Sequence, residues 1–336
     1  MKNAAEIISQ KLPEGWRARV LKPRGRAGSR LQITAPDGRR NEFVLIRKRS
    51  LAPREVITLF HADIVDRPSL VVAPYLSPAV RRRLTEAGVG YVDATGNIRL
   101  SLVDPGLFIE AVGADRDPNP NRRPSRSLAG AKAGQIVRAL CKHKEAWGVR
   151  EIAKATGANP GYVSRLLAKL DGEALVDRDK RGRVKRTDWQ RLIQYWAESA
   201  PIDSRGLSSY CIAPRGLSVA MSALKETSQP YSVTGSFATD RFVSVAPARL
   251  LHLYVESIEG FRRDLKLTET DIGANVVLIE PKDASIFSDS VTDEEGMRWA
   301  PPVQVAADLL TSPGRGPAEG EALLVWMAEH EEAWRE

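Results

Sequence analysis

Cysteine is nearly absent from this chain. Cys141 and Cys211 are the only two in 336 residues, too few and too far apart for a disulfide framework or a structural zinc site. Histidine is almost as rare, and His61, His143, His252 and His330 form no ligand-spaced cluster. No metal or cofactor is therefore expected. Long apolar runs are missing too: nothing approaches the roughly 20 apolar residues of a membrane-spanning helix. The opening MKNAAEIISQKL lacks the apolar core and small-residue cleavage site of a signal peptide. These absences point to a cytoplasmic protein with no membrane partner. What is present, 43% hydrophobic and 27% charged residues, suits a globular chain long enough for two or three domains.

Acidic residues are scarce in one part of the chain only. Residues 201–336 hold 12 basic and 21 acidic side chains, whereas residues 1–200 hold 38 and 21. The net charge of +8 thus conceals a basic part of +17 and an acidic part of −9. The basic part is the one suited to a polyanion.

Apolar residues give out at GADRDPNPNRRPSRSLAG, residues 113–130, which reads as an exposed linker. A softer break falls at AESAPIDSRGLSSYCIAPRG, residues 197–216. The breaks define a mixed α/β part (1–115), a linker (116–129), a central domain (130–198) and an acidic α/β domain (199–336), so the fold class is α+β or α/β multidomain.

The central segment carries the sharpest pattern. AGQIVRALCKHK places Ile136, Val137, Leu140 and Cys141 on one helical face. GVREIAKATGAN forms a second helix with Val149, Ile152 and Ala153 inward, closed by Gly157. NPGYVSRLLAKL forms a third, capped by Asn159 with Pro160 in its first turn. Its inward stripe is Val163, Leu166, Leu167 and Leu170, and its outward face keeps Tyr162, Ser164, Arg165 and Lys169. ALVDRDKRGRVKRTD then reads as strand, turn at Gly182, strand, with Leu175, Val176 and Val184 as apolar contacts. Residues 177–191 carry seven basic side chains against three acidic ones.

This combination, over residues 128–198, resembles the winged helix-turn-helix domains of bacterial transcription regulators. The resemblance implies double-stranded DNA as partner, with the helix at 159–170 in the major groove and the hairpin at 177–187 on phosphates. It makes Arg165 a candidate for a guanine edge, and Asn159, Tyr162, Ser164 and Lys169 candidates for bases or phosphates. Arg178, Lys180, Arg181, Arg183, Lys185 and Arg186 supply sequence-blind affinity. The habit of such regulators of binding palindromes suggests a homodimer.

In the N-terminal part, WRARVLKP, RLQITAPDG and NEFVLIRKR read as strands. A helix APREVITLFHADI, a strand SLVVAPYL, a helix SPAVRRRLTEAGV and the strands YVDATGNIRLSLV and GLFIEAVG follow. This order resembles a restriction-endonuclease-like fold, which implies an Asp and a Glu-x-Lys holding a divalent cation. Asp37 and Lys48 match in type, but Ile46 stands two before Lys48 where the second carboxylate belongs, and isoleucine offers no ligand atom. Glu42, Asp93 or Glu110 are the substitutes in reach, so a nuclease would rest on Asp37, Glu42 and Lys48. The domain otherwise serves to contact DNA or dimerise, with Arg47, Lys48, Arg49 and Arg81, Arg82, Arg83 toward phosphates.

GYVDATGNIRL suits simple turn chemistry through Asp93, Gly96 and Asn97. It also resembles a stretch of AbiEi-like antitoxin regulators of type IV toxin-antitoxin systems, although the winged helix here is not N-terminal. In the acidic part, Gly235-Ser236 before a helix and strand resembles a nucleotidyltransferase-like fold. LHLYVES offers only Glu256 in place of the Asp-x-Asp pair, so the resemblance implies a degenerate module that binds an effector or partner, protein or small molecule. His252 is expected to be packed, and Trp299, Pro301, Gln304 and Asp308 receive no role. Two functions stand: a sequence-specific regulator that binds duplex DNA without cutting it, and a DNA-processing or defence nuclease targeted by a winged helix.

Overall fold

The computed structural model describes residues 4–21, 29–60, 68–115, 117–118 and 128–336. The chain forms two compact units, residues 1–124 with 171–174, and residues 125–170 with 175–336.

In the first unit α1 (Ala4–Ser9) precedes β1 (Arg17–Leu21), β2 (Arg30–Thr34) and β3 (Arg40–Arg47). Then come α2 (Pro53–Phe60), β4 (Ser69–Ala73), α3 (Pro78–Glu86), β5 (Gly90–Asp93), β6 (Ile98–Leu102) and β7 (Leu107–Ala111). The seven strands form one sheet in chain order. Pairing is parallel at β3/β4 and β4/β5 and antiparallel elsewhere. Parallel neighbours need a crossover, and α2 and α3 lie in sequence where the two crossovers fall. One face is covered along the sheet and the other around β4 and β5. Leu31, Ile33, Phe43 and Leu45 pack with Ile7 and Ile8 of α1, while Val71 and Ala73 pack with Val56, Val80 and Leu84 of α2 and α3.

The second unit begins with α4 (Ala131–Lys142), α5 (Val149–Thr156), α6 (Pro160–Gly172), β8 (Val176–Arg178), β9 (Val184–Thr187) and α7 (Trp189–Ser199). It continues through β10 (Gly206–Ile212), α8 (Leu217–Glu226), β11 (Tyr231–Thr234), α9 (Ser236–Thr239), β12 (Leu251–Val255), α10 (Ile258–Asp264), β13 (Thr268–Glu269) and β14 (Val276–Pro281). Last come α11 (Ser285–Asp289), β15 (Val291–Thr292), β16 (Arg298–Trp299), α12 (Pro302–Leu309), α13 (Gly316–Glu329) and α14 (Glu331–Trp334). Seven of these strands make a mixed sheet in the order β13-β10-β14-β12-β11-β16-β15. Among the described residues no helix is long and apolar enough to cross a membrane.

The expected boundary at 198/199 lies inside this unit, because one apolar core runs from Leu128 through Leu167 and Trp196 to Leu278 and Trp334. The soft break at 197–216 also contains a strand. β10 pairs with β14 along Gly206–Cys211; its run of polar residues hides that Cys211 is fully buried.

A buried polar network reinforces the junction. Arg138 of α4, only 6% exposed, donates to Asp283 at 3.0 Å, Asp289 at 2.7 Å, Ser285 at 2.6 Å and Gln304 at 3.0 Å. Burial works against a charged Asp283, but Arg138, Ser285 and Gln135 outweigh it and hold the carboxyl below the usual range. Gln304 passes the network on to Asp308 of α12, which is fully buried. Asp308 accepts from Thr234 at 2.7 Å and from Tyr254 at 3.0 Å and lies 3.1 Å from Arg205. A second tie is aromatic: Trp189 meets Trp334 edge-on at 4.9 Å and donates from its indole nitrogen to Glu331.

Candidate nucleic-acid interface

The interface is built on α4, α5 and α6, whose inward stripes supply its core. Ile152, Val163, Leu167 and Leu170 are fully buried. Gly157 ends α5 with φ +60°, the left-handed turn expected of it. Asn159 then opens α6: its Oδ1 accepts the Gly161 N–H at 2.9 Å, and its carbonyl accepts from Val163.

The outward residues of α6 divide into two groups. Asn159, Ser164 and Arg165 are exposed, and Arg165 makes no ion pair among the described residues. Tyr162 is half-buried and packs on the core, and the Lys169 ammonium lies 5.4 Å from the centre of the Tyr195 ring. Lys169 is thus drawn to the neighbouring helix α7, which carries Tyr195.

The wing divides in the same way. β8 and β9 form its hairpin, and Trp147 adds a third short strand by exchanging backbone hydrogen bonds with Val184 at 2.9 and 2.8 Å. No sequence pattern announces that bridge, since a single residue carries it. Asp179 shapes the tip: its Oδ1 accepts the N–H groups of Arg183 and Arg181, which hold its carboxyl below the usual range. Gly182 completes the turn at φ +81°. Arg178 folds back to donate to the Gly182 carbonyl at 3.1 Å. Arg183 reaches the Ala146 carbonyl at 2.5 Å and Glu151 at 3.4 Å. Lys180, Arg181, Lys185 and Arg186 are exposed and form no salt bridge among the described residues.

Residues 131–180 match the IclR helix-turn-helix domain. The match spans α4 to the wing tip. No curated protein matches the chain. No solved structure matches it either. The chain therefore carries an IclR-type helix-turn-helix, a double-stranded DNA-binding domain of transcription regulators, and the remainder is described by its own structure alone.

The residues singled out for nuclease chemistry do not converge. Asp37 is exposed in the turn before β3 and pairs with Arg39 at 2.7 Å. Glu42 is engaged by Arg30 and Gln32. Lys48 follows the far end of β3, whose eight residues put Asp37 and Lys48 roughly 23 Å or more apart. Among the described residues no three histidine, cysteine or carboxylate side chains are grouped to hold a metal. Arg81 donates to Asn97 at 2.7 Å and to Asp115 at 2.5 Å, so it too is engaged within the domain. Asp93 and Asn97 are buried in a closed bend, with Asp93 accepting from Thr95, Asn97 and Leu76.

His61 lies outside the described residues. His143 lies tilted on Trp147 at 4.1 Å, and His330 stacks on Trp326 at 4.7 Å. His252 is buried at 8% exposure, and burial lowers its pKa despite Asp308 and Asp203. A depressed histidine binds its proton in the unfolded chain before the folded one. Its contribution to stability is therefore complete above about pH 6.5 and falls as the pH drops below that. Thermal scans from pH 7 to pH 5 should show a loss of stability that is smaller in His252→Asn.

Proposed function

We propose that the chain is a sequence-specific transcription regulator that lays α6 in the major groove and the wing on the flanking backbone. One observation carries the reading: Ser164 and Arg165 project from a rigidly cored helix beside a wing whose Lys180, Arg181, Lys185 and Arg186 have no acidic partner among the described residues. In this reading Arg165 reads a guanine edge, Asn159 and Ser164 bond bases or phosphates, and the wing cations bind phosphates. Tyr162 and Lys169 position the helix, and Arg178 and Arg183 hold the wing in shape. The protein acts as a homodimer on two half-sites about one helical turn, ~34 Å, apart. The first unit and the acidic part contribute dimerisation or effector sensing.

The test begins with selection of bound duplexes from a random pool. A defined, dyad-symmetric motif is expected, and it should be recovered intact after incubation with magnesium or manganese. Arg165→Ala should lower discrimination at one position by about 1–3 kcal/mol while leaving binding to random duplex nearly unchanged. Equal loss on every sequence would remove Arg165 from base reading, and metal-dependent cleavage would make the protein a nuclease.

A further inference from the structure

A cavity of about 210 Å³ opens between α9, β12 and the start of α13. A single water needs only roughly 10–15 Å³ on the same kind of measure. Arg249 and Arg315 stand exposed at its rim, and neither forms an ion pair among the described residues. Behind them lie Ser236, His252, Ser312 and Glu319. Ser312 is occupied by the Asp308 carbonyl at 2.8 Å, and Ser236 donates to one Glu319 oxygen at 2.5 Å. The other oxygen of Glu319, a residue 6% exposed, accepts no hydrogen bond among the described residues. His252 is nine-tenths buried, and its Nδ1 has no partner. Gly235 (φ +69°) lies so close that a side-chain carbon there would sit 2.9 Å from that nitrogen. The 14-residue α13 starts at this wall with no side-chain cap.

The charges fix the orientation of an occupant. Two unpaired guanidiniums at the mouth, with the positive end of α13, favour an anionic group there. Inside, the Glu319 carboxylate favours an uncharged hydroxyl and repels a second negative charge. We propose that this cavity binds a small hydroxylated organic anion, a carboxylate or a phosphate ester, with its charge on Arg249 and Arg315 and its hydroxyl on Glu319, beside His252. The site stands whether or not the DNA reading holds, because its ligand is measured without DNA.

The full-length chain, labelled at its four histidines, is titrated with glycerol 3-phosphate, lactate and inorganic phosphate and followed by NMR. The His252 resonance is assigned by its loss in His252→Asn. It should move saturably with glycerol 3-phosphate or lactate, and which of the two binds tighter separates the phosphate source from the carboxylate one. Arg249→Ala and Arg315→Ala change exposed side chains and should each weaken the response about tenfold or more. Glu319→Gln should weaken the hydroxylated probe and spare inorganic phosphate. A His252 signal unmoved by all three probes at about 10 mM, where even a Kd of ~1 mM would saturate, would overturn the site. A response that survives both arginine changes would do the same. Inorganic phosphate binding as tightly as glycerol 3-phosphate would overturn the hydroxyl assignment.

Discussion

Asp308→Ala should lower the stability of the second unit by about 3–5 kcal/mol, more than any change on the surface. The carboxylate is fully buried and is met by Thr234, Tyr254, Gln304 and Arg205. Removing it strands three donors. It also leaves the Arg205 guanidinium, itself 8% exposed as a side chain, without its counter-ion. Arg205 is poorly placed to find another: its Nε already donates to the Ala200 carbonyl, and neither terminal nitrogen has a hydrogen-bond acceptor. Its remaining contact is the Trp196 ring, 4.2 Å below the guanidinium. For a unit of this size the loss corresponds to a fall in Tm of about 6–20 °C, measured by scanning calorimetry. Asp308→Asn keeps the shape and one acceptor and should lose less. Combining Asp308→Ala with Arg205→Met removes the stranded charge, so the double variant should be more stable than the sum of the two single losses allows. An additive double variant would show that the pair is not coupled. Because Gln304 links Asp308 to Arg138 of α4, the helix-turn-helix depends on the same network as the acidic sheet.

What was legible in the sequence was local. The helix-turn-helix could be read because helical spacing, a left-handed glycine and an Asn-Pro start all lie within a few residues of what they control. The wing tip, the bend after β5 and the turn after β15 share one further local rule. Asp93, Asp179 and Asp293 each accept the backbone N–H groups two and four residues ahead. Three residues after each aspartate stands a glycine with positive φ, at +101°, +81° and +86°. The D-x-x-G pattern therefore marks a hairpin, and Asp93 is engaged as its turn residue. Contacts between distant segments left no such trace. Arg138 and Asp283 are 145 positions apart, and nothing around either residue marks it as half of a buried pair. The same holds in the wing: Arg178 and Arg183 look like Lys180 and Arg181 until the chain folds and supplies them with carbonyl acceptors.

That division of the wing leads to the second large effect. Replacing Lys180, Arg181, Lys185 and Arg186 together by alanine should cut affinity for every duplex by on the order of 10³ at about 0.1 M salt. Each phosphate contact contributes about 0.9 to the slope of log K against log salt, and four of them contribute about 3.6. The slope should therefore flatten by about 3 to 4, while the preference for the selected motif over random duplex survives, because Arg165 and Ser164 are untouched. These four side chains are exposed and make no salt bridge among the described residues, so melting should be unchanged. Arg183→Ala is the matched control. Its side chain is bound to the Ala146 carbonyl and Glu151, so its loss should loosen the wing against α5 and barely alter the salt slope. Fluorescence anisotropy on specific and random duplexes across a salt series separates the two. If the fourfold variant keeps the wild-type slope, the wing does not lie on the phosphate backbone.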